Sequence, residues 1–194
     1  MNYPLHLSFK ILALARQLSM TDASGNRIFY VKQKVFKLKE AVTVFADEGQ
    51  TQPLYFIRSD RVLDFSANYR FTDKAGAALG SVRRRGAKSL WRAHYDIRDG
   101  SAPEMTIKEE KPWTKVLDGL LGEIPIVGMF TGYFLHPTYI VSRANGAPVL
   151  RLTKQPAFFE GKFTIEKHAE MTADDEIRAL LSLTMMVLLE RDRS

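Results

Sequence analysis

The stretch from residue 83 to residue 92 carries the strongest local charge in the sequence. It combines five bases with one tryptophan and contains no acid: Arg83, Arg84, Arg85, Lys88, Trp91 and Arg92. Guanidinium groups bind phosphate oxygens in a bidentate geometry, and tryptophan favours the membrane interface, so the pattern is typical of a site for anionic lipid headgroups. The same bases would suit nucleic-acid phosphates, or they could form a solvated hairpin with Trp91 in the core. We expect lipid rather than nucleic acid.

The rest of the chain offers no catalytic or metal-binding pattern. The four histidines lack ligand spacing such as i and i+4, and the chain has no cysteine: His6, His94, His136 and His168. A phosphate-binding Gly-Lys-Ser/Thr loop and a nucleophile elbow are also missing from the sequence. We therefore predict no catalytic residue, no metal, no cofactor and no enzymatic activity.

Turn-forming residues indicate where the strands that position these bases begin and end. Four aspartates, each followed within three residues by glycine, lie 25, 26 and 26 residues apart: Asp22, Asp47, Asp73 and Asp99. Asp bonds its own backbone and Gly accepts a positive φ, so each marks a hairpin turn. An Asn145-Gly146 pair predicts a further hairpin. Each period of about 25 residues then holds two strands.

Apolar and polar side chains alternate along the predicted strands, which gives each strand an apolar face and a solvent-exposed face. Phe29 and Val31 share one face, and Lys32 lies on the other. Four such bases follow a β-branched residue in successive units: Lys32, Arg58, Arg83 and Lys108. They could form a stripe around the molecule, depending on the order of the strands.

The segment after residue 172 predicts a helix that is apolar on every side. From Ala179 to Leu189 only Ser182 and Thr184 interrupt the apolar residues. Such a helix must be enclosed by protein or lipid, and this run falls short of the roughly 20 residues that a membrane span needs. We predict a mainly β fold, a closed antiparallel barrel of about twelve strands that encloses this central hydrophobic C-terminal α-helix. It forms a single domain over residues 1–194.

An insertion at about residues 112–137 interrupts the repeat. Within it, residues 119–135 are apolar and rich in glycine. This segment could cap one mouth of the barrel, which is the ordinary explanation, or it could contact a membrane or a protein partner.

Overall charge and the N-terminal residues bear on location. The formal net charge of +6 favours anionic partners. Lys10 and Arg16 interrupt the first apolar stretch, so no secretory signal forms. We expect a cytoplasmic protein without a transmembrane span, in peripheral contact with a membrane.

The repeating unit resembles that of the LURP-one-related proteins. The resemblance is carried by residues 26–40, Asn-Arg-Ile-Phe-Tyr-Val-Lys-Gln-Lys-Val-Phe-Lys-Leu-Lys-Glu, and by residues 43–47, Thr-Val-Phe-Ala-Asp. Residues 53–73 and 78–99 continue the pattern, so it covers most of the chain outside the insertion. That family belongs to the Tubby C-terminal-like group with the phospholipid scramblases. The resemblance implies a twelve-stranded barrel around a C-terminal helix.

Function carries over from the resemblance only in part. Tubby proteins bind phosphoinositides and scramblases act on membrane lipids, which favours a lipid-binding role for the basic surface. No residue matches the phosphoinositide-binding positions of the Tubby proteins well enough to be transferred. The cysteine cluster of scramblases is missing, and so is their acidic calcium-binding segment, so we do not expect scramblase activity.

Three functional hypotheses remain at this point. The first is a non-enzymatic barrel that binds anionic phospholipid headgroups through its basic surface. The second is a structural or protein-interaction module that uses the apolar residues 119–135 and has no ligand of its own. The third, a lipid carrier with an empty lumen, conflicts with the apolar helix.

Overall fold

The computed structural model describes residues 1–12, 15–34, 41–61, 67–85, 94–110, 137–156 and 161–191. These residues form twelve strands and one helix. The strands are β1 (Leu5–Leu12), β2 (Ala15–Thr21), β3 (Arg27–Lys34), β4 (Ala41–Phe45), β5 (Pro53–Ser59), β6 (Asn68–Asp73), β7 (Ala78–Arg84), β8 (His94–Asp99), β9 (Ala102–Glu109), β10 (Thr138–Arg143), β11 (Pro148–Gln155) and β12 (Gly161–Lys167). The helix α1 runs over Ala173–Arg191.

The strands form one closed antiparallel barrel in which each strand pairs with its neighbours in the chain. The barrel closes where β1 meets β12, with Leu5 opposite Ile165 and Phe9 opposite Gly161. Closure removes the unpaired edges that an open sheet of this length would present to other chains. The predicted fold class is therefore confirmed.

Aspartate side chains build the tight turns, as the sequence predicts. The Asp22 carboxylate accepts hydrogen bonds from the backbone amides of residues 24 and 26, and Asp73 does the same for residues 75 and 77. The glycines that follow have positive φ values of 82° at Gly25 and 87° at Gly76. In the second turn the residue with positive φ is Gln50 (58°), although Gly49 precedes it.

Strand alternation sends apolar side chains into the barrel. The predicted inward residues on β3, β5, β7 and β9 are nearly inaccessible: Val31, Ile57, Val82 and Ile107. The base that follows each of them is exposed. The inward wall residues and the helix belong to one continuous core.

Helix α1 is enclosed by this wall. Every residue from Ala179 to Leu189 is buried, including Ser182, whose hydroxyl donates to the backbone oxygen of Arg178 at 2.7 Å. The helix begins where predicted, since the Thr172 hydroxyl accepts a hydrogen bond from the Asp175 amide at 3.2 Å. Protein, and not lipid, covers the apolar helix.

The up-and-down topology gives the barrel two different ends. We call the end that holds the turns near residues 22–25, 47–50, 73–76, 99–100 and 145–146 the hairpin end. Arg178, near the start of α1, lies at the hairpin end, and Glu190 lies at the opposite end. The helix therefore spans the barrel from one mouth to the other.

Candidate functional site

Five arginines lie on the outer surface of four consecutive strands and the residue that follows β7. We call this set the arginine face: Arg58 on β5, Arg70 on β6, Arg83 and Arg85 on and after β7, and Arg98 on β8. Their outward direction follows from the inward partners beside them in each strand, such as Ile57 and Val82. The arginine face is the candidate functional site.

The structure separates the predicted site residues. Arg83 and Arg85 are exposed on the outer surface, but Arg84 is only 8% exposed and lies 3.9 Å from Glu190 of α1. Alternation explains the difference, because Val82 faces inward and Arg84, two residues later, must do the same. This signal was present in the sequence. The other predicted site residues, Lys88, Trp91 and Arg92, lie outside the described residues.

A buried carboxylate lies among three of the outer arginines. Asp96 points outward from β8, directly opposite Arg83, yet it is only 4% exposed. Its Oδ2 atom lies 3.2 Å from Arg85 Nε and 3.8 Å from Arg98 Nη2. Asp96 therefore offsets part of the positive charge of this half of the face.

In the other half of the face, no acid stands directly opposite an arginine. Arg58 on β5 stands directly opposite Arg70 on β6. The remaining cross-strand neighbours of the two are Ala41 on one side and Ser81 on the other, and Ser81 in turn faces Arg98. No residue of this row across β4 to β8 is acidic, and of its three arginines only Arg98 lies near the Asp96 carboxylate.

A histidine on the same outer surface lies among charged neighbours. His94 lies opposite Lys108 on the outer surface of β8. Burial lowers the pKa of His94, and the charges of Lys108 and Arg85 lower it further, against the opposing effect of Asp96. The two nearby cations therefore act on the His94 pKa in the same direction as burial.

The predicted stripe of bases is only partly continuous. Lys32, Arg58, Arg83 and Lys108 all face outward and are exposed, but they lie on alternate strands, β3, β5, β7 and β9. Arg70 on β6 fills one of the gaps, and sequence reasoning missed it. Its position between the inward residues Tyr69 and Phe71 would have placed it on the outer face.

Charged side chains contact the helix near both of its ends. At the hairpin end, Arg178 is 4% exposed and donates to the Leu79 carbonyl oxygen at 2.6 Å. Its guanidinium also lies 2.6 Å from Glu104, 2.8 Å from Asp175 and 3.0 Å from Asp99. These contacts connect the N-terminal part of α1 to the barrel wall.

At the opposite end, the Tyr95 hydroxyl donates to Glu190 at 2.5 Å. Burial raises the pKa of Tyr95, and the Glu190 charge raises it further. A cavity of about 110 Å³ lies beside these groups, lined in part by Tyr139, Lys154 and Phe163. Because α1 fills the lumen, the interior offers little room for a substrate.

Two further findings concern the described part of the chain. No group of three or more histidines and acids in it is placed to hold a metal ion. No helix among the same residues has the length and apolarity to cross a bilayer. The insertion at 112–137, including the apolar residues 119–135, lies almost wholly outside what the structure describes.

Comparison with known proteins matches the chain to one family. A family model described as LURP-one-related matches residues 27–189. The X-ray structure of a protein from Arabidopsis thaliana matches with 16% sequence identity and a TM-score of 0.49, over 98% of this chain and 92% of that one. None of the curated proteins matches.

Proposed function

The chain belongs to the LURP-one-related family, and from this premise we propose that it is a non-enzymatic barrel protein that binds anionic phospholipid headgroups through its arginine face. It would act in the cytoplasm, at the surface of a membrane. Membership of the wider Tubby C-terminal-like group and kinship with the scramblases stay predictions. They agree with a lipid ligand but are not needed for the proposal.

The filled interior supports a role without catalysis. Enzyme pockets are usually concave and lined with a few convergent polar groups. Here the lumen is taken up by α1, and the buried bases Arg84 and Arg178 are engaged with acids at the two ends of the helix. The chemistry that the chain offers to other molecules therefore lies on its outer surface.

The observation that carries the proposal is the concentration of outward arginines on adjacent strands. Neighbouring strands lie about 4.8 Å apart, so bases on β5 to β8 fall within a patch about 15–20 Å wide. One membrane surface can contact all of them at once. Each base near an anionic membrane contributes about 1 kcal/mol of binding free energy, so three or four give a measurable affinity.

Co-sedimentation with vesicles tests the proposal. The wild-type chain should bind vesicles of phosphatidylcholine mixed with phosphatidylserine, and not vesicles of phosphatidylcholine alone. The binding should weaken as salt rises from 50 to 500 mM, roughly, since the Debye length falls below 10 Å. The triple variant R58Q/R70Q/R83Q should bind the anionic vesicles at least about 30-fold more weakly.

A matched control separates this face from net charge. K10Q/K32Q/K162Q removes the same three charges from exposed positions on β1, β3 and β12. It should retain most of the binding if the arginine face contacts the membrane. Equal weakening by both variants would mean that only the net charge of +6 attracts the chain. Absence of salt-sensitive binding by the wild-type chain would refute the proposal.

A further inference from the structure

We infer that Arg58 and Arg70 form a clamp for a single phosphomonoester group, with the Ser81 side chain beside it. The inference rests on the proposed function, because it assigns the ligand chemistry of one part of the arginine face. It also separates that part from Arg83 and Arg85.

The cross-strand geometry brings the two guanidinium groups together. Arg58 and Arg70 are directly opposite each other on β5 and β6, and both are exposed. In such a pair the Cβ atoms lie about 5 Å apart, so both side chains can reach one phosphate lying over the sheet. Like charges directly opposite each other destabilise a sheet, and a bound anion would remove that repulsion.

The residues directly opposite the pair on its outer sides carry no charge. The residues opposite Arg58 and Arg70 on the outer sides of the pair are Ala41 and Ser81. Ser81 is 7% exposed and lies on the outer surface of the sheet, directly between Arg70 and Arg98. Its hydroxyl can donate a hydrogen bond to a phosphate oxygen.

Around Asp96 the balance of charge is different. That carboxylate lies within 4 Å of both Arg85 and Arg98 and opposite Arg83. An anion approaching these three arginines is repelled by the buried carboxylate. The arginines near Asp96 therefore contribute only a weaker, general attraction to an anionic membrane, whereas the pair on β5 and β6 binds the phosphate group itself.

The charge of the pair selects the class of phosphate. A phosphomonoester carries about −1.5 to −2 charges at pH 7 and three free oxygens, whereas a phosphodiester carries one charge and two free oxygens. Two guanidinium groups, each able to bind two oxygens, match the monoester in charge and in acceptors. Phosphatidic acid presents this group on a membrane, and O-phosphoserine presents it in solution.

The test compares monoester and diester ligands at equal surface charge. Vesicles of phosphatidylcholine containing either phosphatidic acid or phosphatidylglycerol are adjusted to the same zeta potential. The wild-type chain should bind the phosphatidic acid vesicles about tenfold more tightly. R70Q and R70K should both lose this preference, because lysine restores the charge but not the bidentate geometry.

R83Q serves as the matched control. It should weaken binding to both kinds of vesicle by the same factor and leave the preference for the monoester unchanged. Thermal melting of each variant checks that the barrel stays folded. Titration with O-phosphoserine, followed by NMR, shows whether the group is recognised free in solution or only on a membrane.

The outcomes distinguish this inference from the proposed function. Equal binding to both kinds of vesicle by the wild-type chain would overturn the clamp but leave lipid binding intact. A preference that survives in R70Q would overturn the clamp as well. Binding of O-phosphoserine that disappears in R70Q, without binding to any vesicle, would support the clamp and refute the membrane role.

Discussion

Replacing Gly80 by alanine should destabilise the barrel far more than the same change at other glycines with positive φ. Gly80 has a φ of 111° and faces the lumen beside the helix. A Cβ atom there would lie 2.3 Å from the Arg98 carbonyl oxygen and 2.6 Å from Arg178 Nε. Both distances are shorter than atoms can approach, so both the backbone at Arg98 and the Arg178 side chain must move.

The size of the effect follows from two terms. The left-handed backbone costs a non-glycine residue about 1–2 kcal/mol. Displacing Arg178 loses at least one hydrogen bond between charged groups, which contributes about 1.5–3 kcal/mol. The expected loss is about 3–5 kcal/mol out of a total stability of about 5–15 kcal/mol. For a chain of this length that corresponds to a fall in Tm of about 10 °C or more.

Urea denaturation followed by circular dichroism measures this loss, and Gly76→Ala is the control. Gly76 has a φ of 87°, but nothing lies within 4 Å of its Cβ position. Its substitution should cost about 1 kcal/mol, from backbone strain alone. In an Arg178→Ala background the cost of Gly80→Ala should shrink, since one of the two clashes is gone. If Gly80→Ala and Gly76→Ala unfold at the same urea concentration, the account of the Arg178 network is wrong.

Leu181→Asp would place an unpaired carboxylate in the dry interior and should leave the chain insoluble. The control Leu181→Met should keep the native circular dichroism spectrum. A soluble, native-like aspartate variant would contradict the enclosed helix. The Thr51 amide hydrogen bond holds the pKa of Asp47 below its usual value of 3.8, so the stabilisation is complete above about pH 4 and is lost as the pH falls through the lowered pKa. Asp47→Asn should therefore make urea midpoints less sensitive to acidification below about pH 4, and an unchanged pH dependence would rule this out. Tyr95→Phe removes the hydroxyl that donates to Glu190 and should lower the free energy of unfolding by about 1–3 kcal/mol. An unchanged urea midpoint would show that this hydrogen bond does not stabilise the fold.

Much of the fold could be predicted because its signals are local. A turn needs an Asx side chain and a residue tolerant of positive φ within a few positions, as at Asp73 and Gly76. A strand in a barrel wall reveals its inner face by alternation, as at Phe29 and Val31. The enclosed helix was evident from the missing polar face between Ala179 and Leu189.

The site could be predicted less well because it depends on pairs of residues from different strands. That Arg58 lies opposite Arg70 depends on register, and the burial of Asp96 depends on arginines from two elements that fold over it. The contact between Gly80 and Arg178 joins residues almost a hundred positions apart. Only Arg84 was misplaced against a signal already present, since alternation from Val82 sends it inward.

The barrel encloses helix α1, which is synthesised after all twelve strands, and this order affects how the protein folds during synthesis. The wall strand β1 and the helix that fills the lumen are separated by the whole of the intervening sequence, and β1 also waits for β12 before the barrel can close. At about 5–20 residues per second, the helix leaves the ribosome about ten to thirty seconds after β1. During that interval neighbouring strands can pair, but the helix that covers their inner faces has not yet been made. We expect the nascent chain to depend on chaperones more than its modest size would suggest, and release of unfinished chains to yield aggregates rather than partial barrels.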